Sequence, residues 1–328
     1  MTQEPPEPQR VPTCYRHPQR ETYISCTRCN RPICPDCMRA AAVGFHCPDC
    51  VAEAARTTPA ARTLAGGHLH GDPTLVTKVL VALNVGLFAV QQISDQVTAR
   101  GALVGAPIAV DGQWYRLISS AFLHVSVTHL LFNMLALWFV GGAIEPRLGR
   151  SRYLTVYLVS ALAGSVLSYA VDPVLSVSVG ASGAVFGLFG ALFVLALRLR
   201  FDVRGVIAII AINVVIGFIP GLNINWRAHL GGLIAGALLT AAMVYAPKAQ
   251  RTLVTVVATV AIVAVCLGVT LVRTNTIREC LSGQRQSAQC ASLFGVGEVG
   301  VPIGMSDPLA EPWSATPAAL TAVERRGT

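Results

Sequence analysis

Charge is scarce in this chain: Asp, Glu, Lys and Arg make up 13% of its 328 residues, against about 25% in an ordinary soluble domain. Beside 53% hydrophobic residues and a mean hydropathy of +0.57, that shortage argues against a soluble globular enzyme and for a polytopic membrane protein. The polar first fifty residues lack the apolar stretch of a signal peptide, so no cleaved leader is expected there. Acids are rarer still in the apolar part. From Asp72 to Val272 they are Asp72, Asp95, Asp111, Glu145, Asp172 and Asp202, each between apolar runs or at the end of one. A carboxylate buried in mid-membrane is therefore not expected. The net charge of +8 would hint at nucleic acid in a soluble protein. Here the basic residues sit mainly in the tail and between apolar runs, which orientation in a bilayer explains better, and no nucleic-acid partner is expected.

Cysteine, in contrast, is concentrated. Seven of the ten cysteines fall between Cys14 and Cys50 and, with one histidine, form the pairs Cys14/His17, Cys26/Cys29, Cys34/Cys37 and Cys47/Cys50. Two intervening residues let both partners reach one tetrahedral ion, and Zn²⁺ favours thiolate and imidazole ligands. Four pairs make two four-coordinate sites. The odd cysteine count and the Cys-x-x-His pair weigh against a disulfide framework. The order of the pairs resembles a B-box-type zinc finger. By that resemblance Cys14, His17, Cys34 and Cys37 would hold one structural Zn ion. Cys26, Cys29 and Cys50, with either Cys47 or His46, would hold the other. So little apolar sequence accompanies them that metal would largely supply the folding energy. Reduced thiolates place this head in the cytosol. It carries no catalytic side chains and reads as a binding or regulatory module for a cytosolic protein partner.

Apolar runs of the length that crosses a bilayer, about 17–25 residues, lie at 75–92, 122–142, 153–171, 174–197, 203–221, 226–245 and 252–272. They predict an all-α polytopic membrane protein with seven helices. Arg147, Arg150 and Arg152 follow the second run, Arg198, Arg200 and Arg204 the fourth, and Lys248 and Arg251 the sixth. The opposite connections hold Arg100, Arg116 and Arg227, more thinly spread. The positive-inside rule then puts the N-terminus in the cytoplasm and the C-terminus outside, in agreement with the thiolates. The expected order is a disordered N-terminus (1–12), a zinc-binding domain (13–51), a linker (52–73), a six-helix core (74–246), a seventh helix (247–273) and a polar, largely disordered tail (274–328).

On this topology the second, fourth and sixth helices all enter from the outer surface. Ser182 falls about eight residues into the fourth helix, or ~12 Å at 1.5 Å per residue. His129 and Asn133 lie at similar depth on one face of the second helix, and His229 lies near the start of the sixth. Polar groups there are costly and face water or one another. A serine hydroxyl needs a base, which histidine supplies near neutral pH. With no acid at hand, Ser182 and His229 read as a dyad rather than a triad. His129, the Asn133 amide and the Ser182 backbone N–H could serve a developing oxyanion, each such donor being worth ~2.7–4 kcal/mol. The connection from about 93 to 121, with Trp114-Tyr115-Arg116, belongs at the outer interface and would partly cover the cavity.

Other readings stand beside this one. Gly180, Gly183, Gly187 and Gly190, with Gly232 and Gly236, also make the small-residue spacing by which membrane helices pack. On that basis alone Ser182 would be a packing residue in a non-catalytic membrane-protein binder. A transporter would need midplane ligands, for which Asn213 is the main candidate.

Several separated motifs closely resemble the rhomboid intramembrane serine proteases. They are Gly180-Ala181-Ser182-Gly183, Ala228-His229-Leu230-Gly231-Gly232 with Gly236, and the run from His124 through His129 and Asn133 to Met134. Trp114/Arg116 and Gly141-Gly142-Ala143-Ile144-Glu145-Pro146-Arg147 add to them, and the likeness covers roughly residues 75–245. The resemblance implies Ser182 as nucleophile, His229 as general base, His129 and Asn133 as oxyanion-hole donors, and structural roles for Glu145 and Arg147. It implies transmembrane protein substrates, no catalytic cofactor and a multi-pass protein, here of a bacterial plasma membrane. Some members carry a tyrosine one turn after the nucleophile, stacked on the catalytic histidine; this chain has Phe186. In the tail a Cys280–Cys290 disulfide is expected, and Cys266 is expected as a buried thiol.

Overall fold

A computed structural model of the chain describes residues 11–57, 62–67, 71–217, 224–285 and 287–294. It divides into two compact units, Met1–Ala61 and Arg62–Thr328.

In the first unit two short antiparallel ladders, β1 (Thr13–Cys14) with β2 (His17–Glu21) and β3 (Arg39–Ala40) with β4 (Phe45–His46), precede helix α1 (Pro48–Thr57). Among the described residues its buried apolar side chains are six fully enclosed or nearly enclosed cysteines and Ile33. One aliphatic side chain cannot offset the ordering of a domain this size. The span read as a linker from residue 52 begins inside α1.

The second unit is helical. It comprises α2 (Leu75–Ile93), α3 (Asp95–Gly101), α4 (Gly105–Val110), α5 (Arg116–Ser119), α6 (Val127–Leu148), α7 (Arg150–Val171), α8 (Ser182–Leu199), α9 (Arg204–Gly217), α10 (Trp226–Tyr245), α11 (Arg251–Leu281) and α12 (Ser287–Phe294). Six of these, α2, α6, α7, α8, α10 and α11, are long and apolar enough to cross a membrane. The chain is a multi-pass membrane protein of all-α class. The seventh expected span is the shorter α9, whose expected continuation to 221 enters residues outside those described. Helix α8 is central, with 67% of its apolar window buried in the protein, whereas only 6% of α11's window is fully buried.

Glycine sets how closely α8 and α10 approach. A Cβ on Gly232 would collide with the Gly183 carbonyl, and one on Gly236 with the Gly187 carbonyl. The constant register makes the helices parallel, with backbones in contact. At the start of α2, buried Glu145 accepts hydrogen bonds from the Val76 and Thr77 N–H groups (2.9 and 2.8 Å) and from Thr77 Oγ1 (2.8 Å). A carboxylate at a helix N-terminus satisfies free donors and complements the dipole.

Three boundaries depart from the sequence reading. The fourth span begins at Ser182 rather than 174, because β6 (Val177–Ser178) pairs with β5 (Leu103–Val104) and Gly180 has φ +139°. The second begins at Val127 rather than 122, after a 3-10 turn at Ser120–Phe122 and with Ser126 as its N-cap. The last runs on to Leu281, and α12 follows within the Cys280–Cys290 disulfide. Thus the start of the tail expected to be disordered is helical: Ile277 and Leu293 pack with Leu103, Ile108, Tyr169 and Val174. The remainder, 295–328, lies outside the described residues. Residues 62–67 are also fastened to this unit, through Thr63 Oγ1 donating to the Leu148 carbonyl (3.1 Å) and Arg251 Nη1 to that of Leu64 (2.8 Å).

Candidate active site

Ser182 opens α8, His129 is the third residue of α6 and His229 the fourth of α10. The depth of Ser182 is therefore set by an extended approach segment and not by eight residues of helical rise. All three groups lie in helical first turns, where unsatisfied N–H groups and the helix dipole favour negative charge.

Gly180 brings two of them together. A Cβ there would sit 2.7 Å from Cε1 and 3.0 Å from Nε2 of His129, and 3.6 Å from Ser182 Oγ. Positive φ and this crowding both require glycine. His229 is buried and stacks on Phe186, ring centroids 4.0 Å apart and planes 10° apart. Phe186 stands one turn beyond Ser182, with Phe189 edge-on to it at 5.8 Å. A Cβ on Gly183 would lie 3.3 Å from the carbonyl oxygen of Ala228, the residue before His229. Ser182 and His229 thus occupy the first turns of two touching helices. Among the described residues no hydrogen bond joins them; such bonds are often long without substrate.

Asn133 is buried and donates one amide hydrogen to the His129 carbonyl (2.9 Å), leaving the other free to serve the site. His129 Nδ1 is buried without a partner among the described residues. His124, quoted in the sequence motif without a role, lies beside it: the rings are 5.2 Å apart, and both His124 nitrogens are buried without a partner among the described residues. Burial, with a smaller effect of His129, lowers the His124 imidazole to about 4, so it is neutral near pH 7. Gln91 clasps its backbone, accepting from the His124 N–H (3.0 Å) and donating to its carbonyl (3.2 Å).

The start of α10 is held by residues that the sequence did not single out as a group. Asn225 caps the helix, accepting from the Ala228 N–H (3.1 Å), while Nδ2 donates toward Ser168 Oγ (2.7 Å) and Asp172 Oδ2 (2.9 Å). Asp172 also pairs with Arg227 (2.7 Å), and its carbonyl accepts from Arg273 (2.9 Å). Asp172 thus anchors the start of α10, and among the described residues no hydrogen bond joins it to His229. Only fold geometry links these residues, since the chain separates Asn225 from Asp172 by 53 positions. In the connection after α2, buried Arg116 ties Gln113 Oε1 (2.7 Å) and the carbonyls of Ala99 and Ala102 (2.9 and 2.8 Å) together.

In the first unit, Cys14, His17, Cys34 and Cys37 form one group and Cys26, Cys29, Cys47 and Cys50 another, with ligand atoms within 4.8 Å of one another. His17 Nδ1 lies 3.3 Å from Cys34 Sγ and 3.4 Å from Cys37 Sγ, and Cys29 and Cys47 sulfurs are 3.7 Å apart. Zn–S bonds of about 2.3 Å in a tetrahedron require edges of about 3.7 Å. Cys47, not His46, falls in the second group. Burial raises the Cys14 and Cys26 thiols, but backbone N–H groups directed at the sulfurs outweigh it and bring both to about 6. Cys50 is pushed up to about 12, first by its hydrogen bond with Cys47 and then by burial. Sulfurs so close cannot all ionise unless a cation joins them, and the donor set fits zinc.

Fold and site together define a polytopic membrane protein in which a serine, two histidines and an asparagine converge at one end of a helix bundle. The Rhomboid domain family model matches residues 111–246, a span that contains all four. Putative rhomboid protease YdcA of Bacillus subtilis (strain 168) is 40% identical over 148 residues, 43% of this chain and 73% of that protein. Rhomboid protease GluP of the same organism is 38% identical over 193 residues, 56% of this chain and 37% of GluP. Rhomboid protease AarA of Providencia stuartii is 27% identical over 212 residues, 54% of this chain and 75% of AarA. The chain belongs to the rhomboid family. It spans little more than a third of the length of GluP.

Proposed function

We propose that the protein is an intramembrane serine endopeptidase acting on transmembrane segments of other proteins. The observation that carries this reading is the convergence of Ser182, His129 and the Phe186-stacked His229 in three helical first turns. A substrate helix end unwinds into the site, because a hydrogen-bonded helical backbone hides its carbonyls. Ser182 Oγ attacks the scissile carbonyl carbon as His229 takes its proton. The oxyanion is held by His129, the free Asn133 amide hydrogen and the Ser182 N–H, assisted by the first turn of α8. Collapse expels the amine, which receives the proton from His229. Water, its proton passing to His229, then hydrolyses the acyl-enzyme and restores Ser182. Phe186 keeps the imidazole plane in register by stacking, without the hydroxyl that a tyrosine would add.

The basic connections support an N-terminus in the cytoplasm and a C-terminus outside, in a bacterial plasma membrane. The Ser182 end of the bundle then faces outward. The head, 13–51, is a B-box-like domain with Zn ions on Cys14/His17/Cys34/Cys37 and Cys26/Cys29/Cys47/Cys50, and it engages a cytosolic protein. Labelling of the purified protein by a fluorophosphonate tests the chemistry. Ser182→Ala should remove the label and cleavage of a model transmembrane substrate while leaving protein levels unchanged. Undiminished cleavage by that variant would overturn Ser182 as nucleophile, and a wild type that neither cleaves nor takes the label would favour a non-catalytic membrane-protein binder.

A further inference from the structure

The bundle end opposite Ser182 contains a second feature. Helices α6 and α10, which begin at the site, end beside a cavity of about 460 Å³ whose walls carry Arg62, Arg152, Lys248 and Arg251. No carboxylate lies within ion-pair distance of any of the four among the described residues. Two of them reach the same point: a Cβ built on Gly66 would lie 3.6 Å from Arg251 Cδ and 3.8 Å from Arg152 Nη2. Arg152 Nε is buried and unpartnered among the described residues. Helices α7 and α11 both start here, and neither has an acid in its first turn or a side-chain cap. Arginines at a helix N-terminus oppose the dipole, and uncapped N–H groups there seek an anion.

Among the described residues, four cations with no carboxylate partner, a buried donor without a partner and two helix N-termini without side-chain caps surround one cavity, and they share a single remedy, a multivalent oxyanion. We propose that this cavity binds the phosphate of an anionic phospholipid headgroup. The lipid source follows from position. The cavity sits at the ends of membrane-spanning helices, hence at headgroup level whichever way the chain is oriented, and α11 beside it leaves most of its apolar surface to lipid. Basic pockets between membrane helices are suited to such headgroups.

The test uses the full chain in phosphatidylcholine nanodiscs with and without phosphatidylglycerol, native mass spectrometry counting the phosphatidylglycerol retained. Wild type should keep phosphatidylglycerol preferentially. Arg152→Gln, Arg251→Gln and the exposed Lys248→Gln should each lower retention about five-fold. Arg204→Gln, an exposed charge at the same bundle end, should change it little. Lys248→Gln guards against misfolding, since its exposed side chain can be altered without disturbing the core. Equal retention in all four variants would overturn the pocket in favour of diffuse surface charge. Inorganic phosphate that displaces phosphatidylglycerol completely at equal concentration would overturn the lipid assignment in favour of a soluble anion.

Discussion

The two units are stabilised by opposite means. The head buries cysteine and a single isoleucine, so its order depends on what its sulfurs bind. The membrane unit buries a continuous set of Leu, Val, Ala, Tyr and Phe and joins α8 to α10 by glycine contacts that no side chain could replace. If its sulfur clusters hold the proposed zinc, the first can be undone by chelation, whereas the second yields only to changes of shape. Perturbations should therefore affect one unit and spare the other.

Chelation gives the largest contrast. Stripping zinc should unfold the head and expose its seven cysteines to alkylation, because structural zinc contributes about 10–16 kcal/mol to such domains. Helix content and thermal stability of the membrane unit should not move. Loss of membrane-unit helicity on chelation would break the comparison. A smaller effect of opposite location is expected from Gly236→Val. Its side chain would meet the Gly187 backbone, an overpacking that costs about 1–3 kcal/mol. It should lower the thermal midpoint of the membrane unit and its cleavage rate, while metal content is unchanged.

Glu145→Gln should come next. It keeps shape but removes the charge at the start of α2, a loss of about 1–2 kcal/mol for a buried helix-terminal carboxylate. Calorimetry of the reconstituted protein measures it. Least destabilising is Phe186→Leu, which keeps bulk but removes the ring stacked on His229. An aromatic pair contributes about 0.5–1.5 kcal/mol beyond its area, so turnover should fall several-fold to about ten-fold with little change in melting. Undiminished turnover would show that the stacking does not position the imidazole.

The sequence made most of this legible where chemistry and spacing coincide. The Cys/His pairs stood out because two-residue spacing is local, and the likeness to a B-box-type finger joined them into the two groups that the fold brings together. Ser182, His129, Asn133 and His229 stood out because polar side chains are costly in apolar runs. Depth was misjudged for Ser182, since hydropathy does not distinguish the extended β6 segment from the helix that follows it. Asn225 and Asp172 escaped grouping because their contact depends on tertiary folding. So did the Arg62–Arg152–Lys248–Arg251 cavity: Arg152, Lys248 and Arg251 each fitted the orientation rule separately, Arg62 fell in the expected linker, and only the fold gathers them. Between Cys47 and His46 the same likeness left a choice, and the fold gathers Cys47 with Cys26, Cys29 and Cys50.

The most direct measurement is fluorophosphonate labelling of the zinc-loaded and the chelated protein, each as wild type, Ser182→Ala and His229→Ala, with the labelled residue identified by peptide mass spectrometry. The account predicts label on Ser182 in wild type whether or not zinc is present, none in Ser182→Ala, and strongly slowed labelling in His229→Ala. Label that persists in Ser182→Ala, or that ignores the loss of His229, would contradict it.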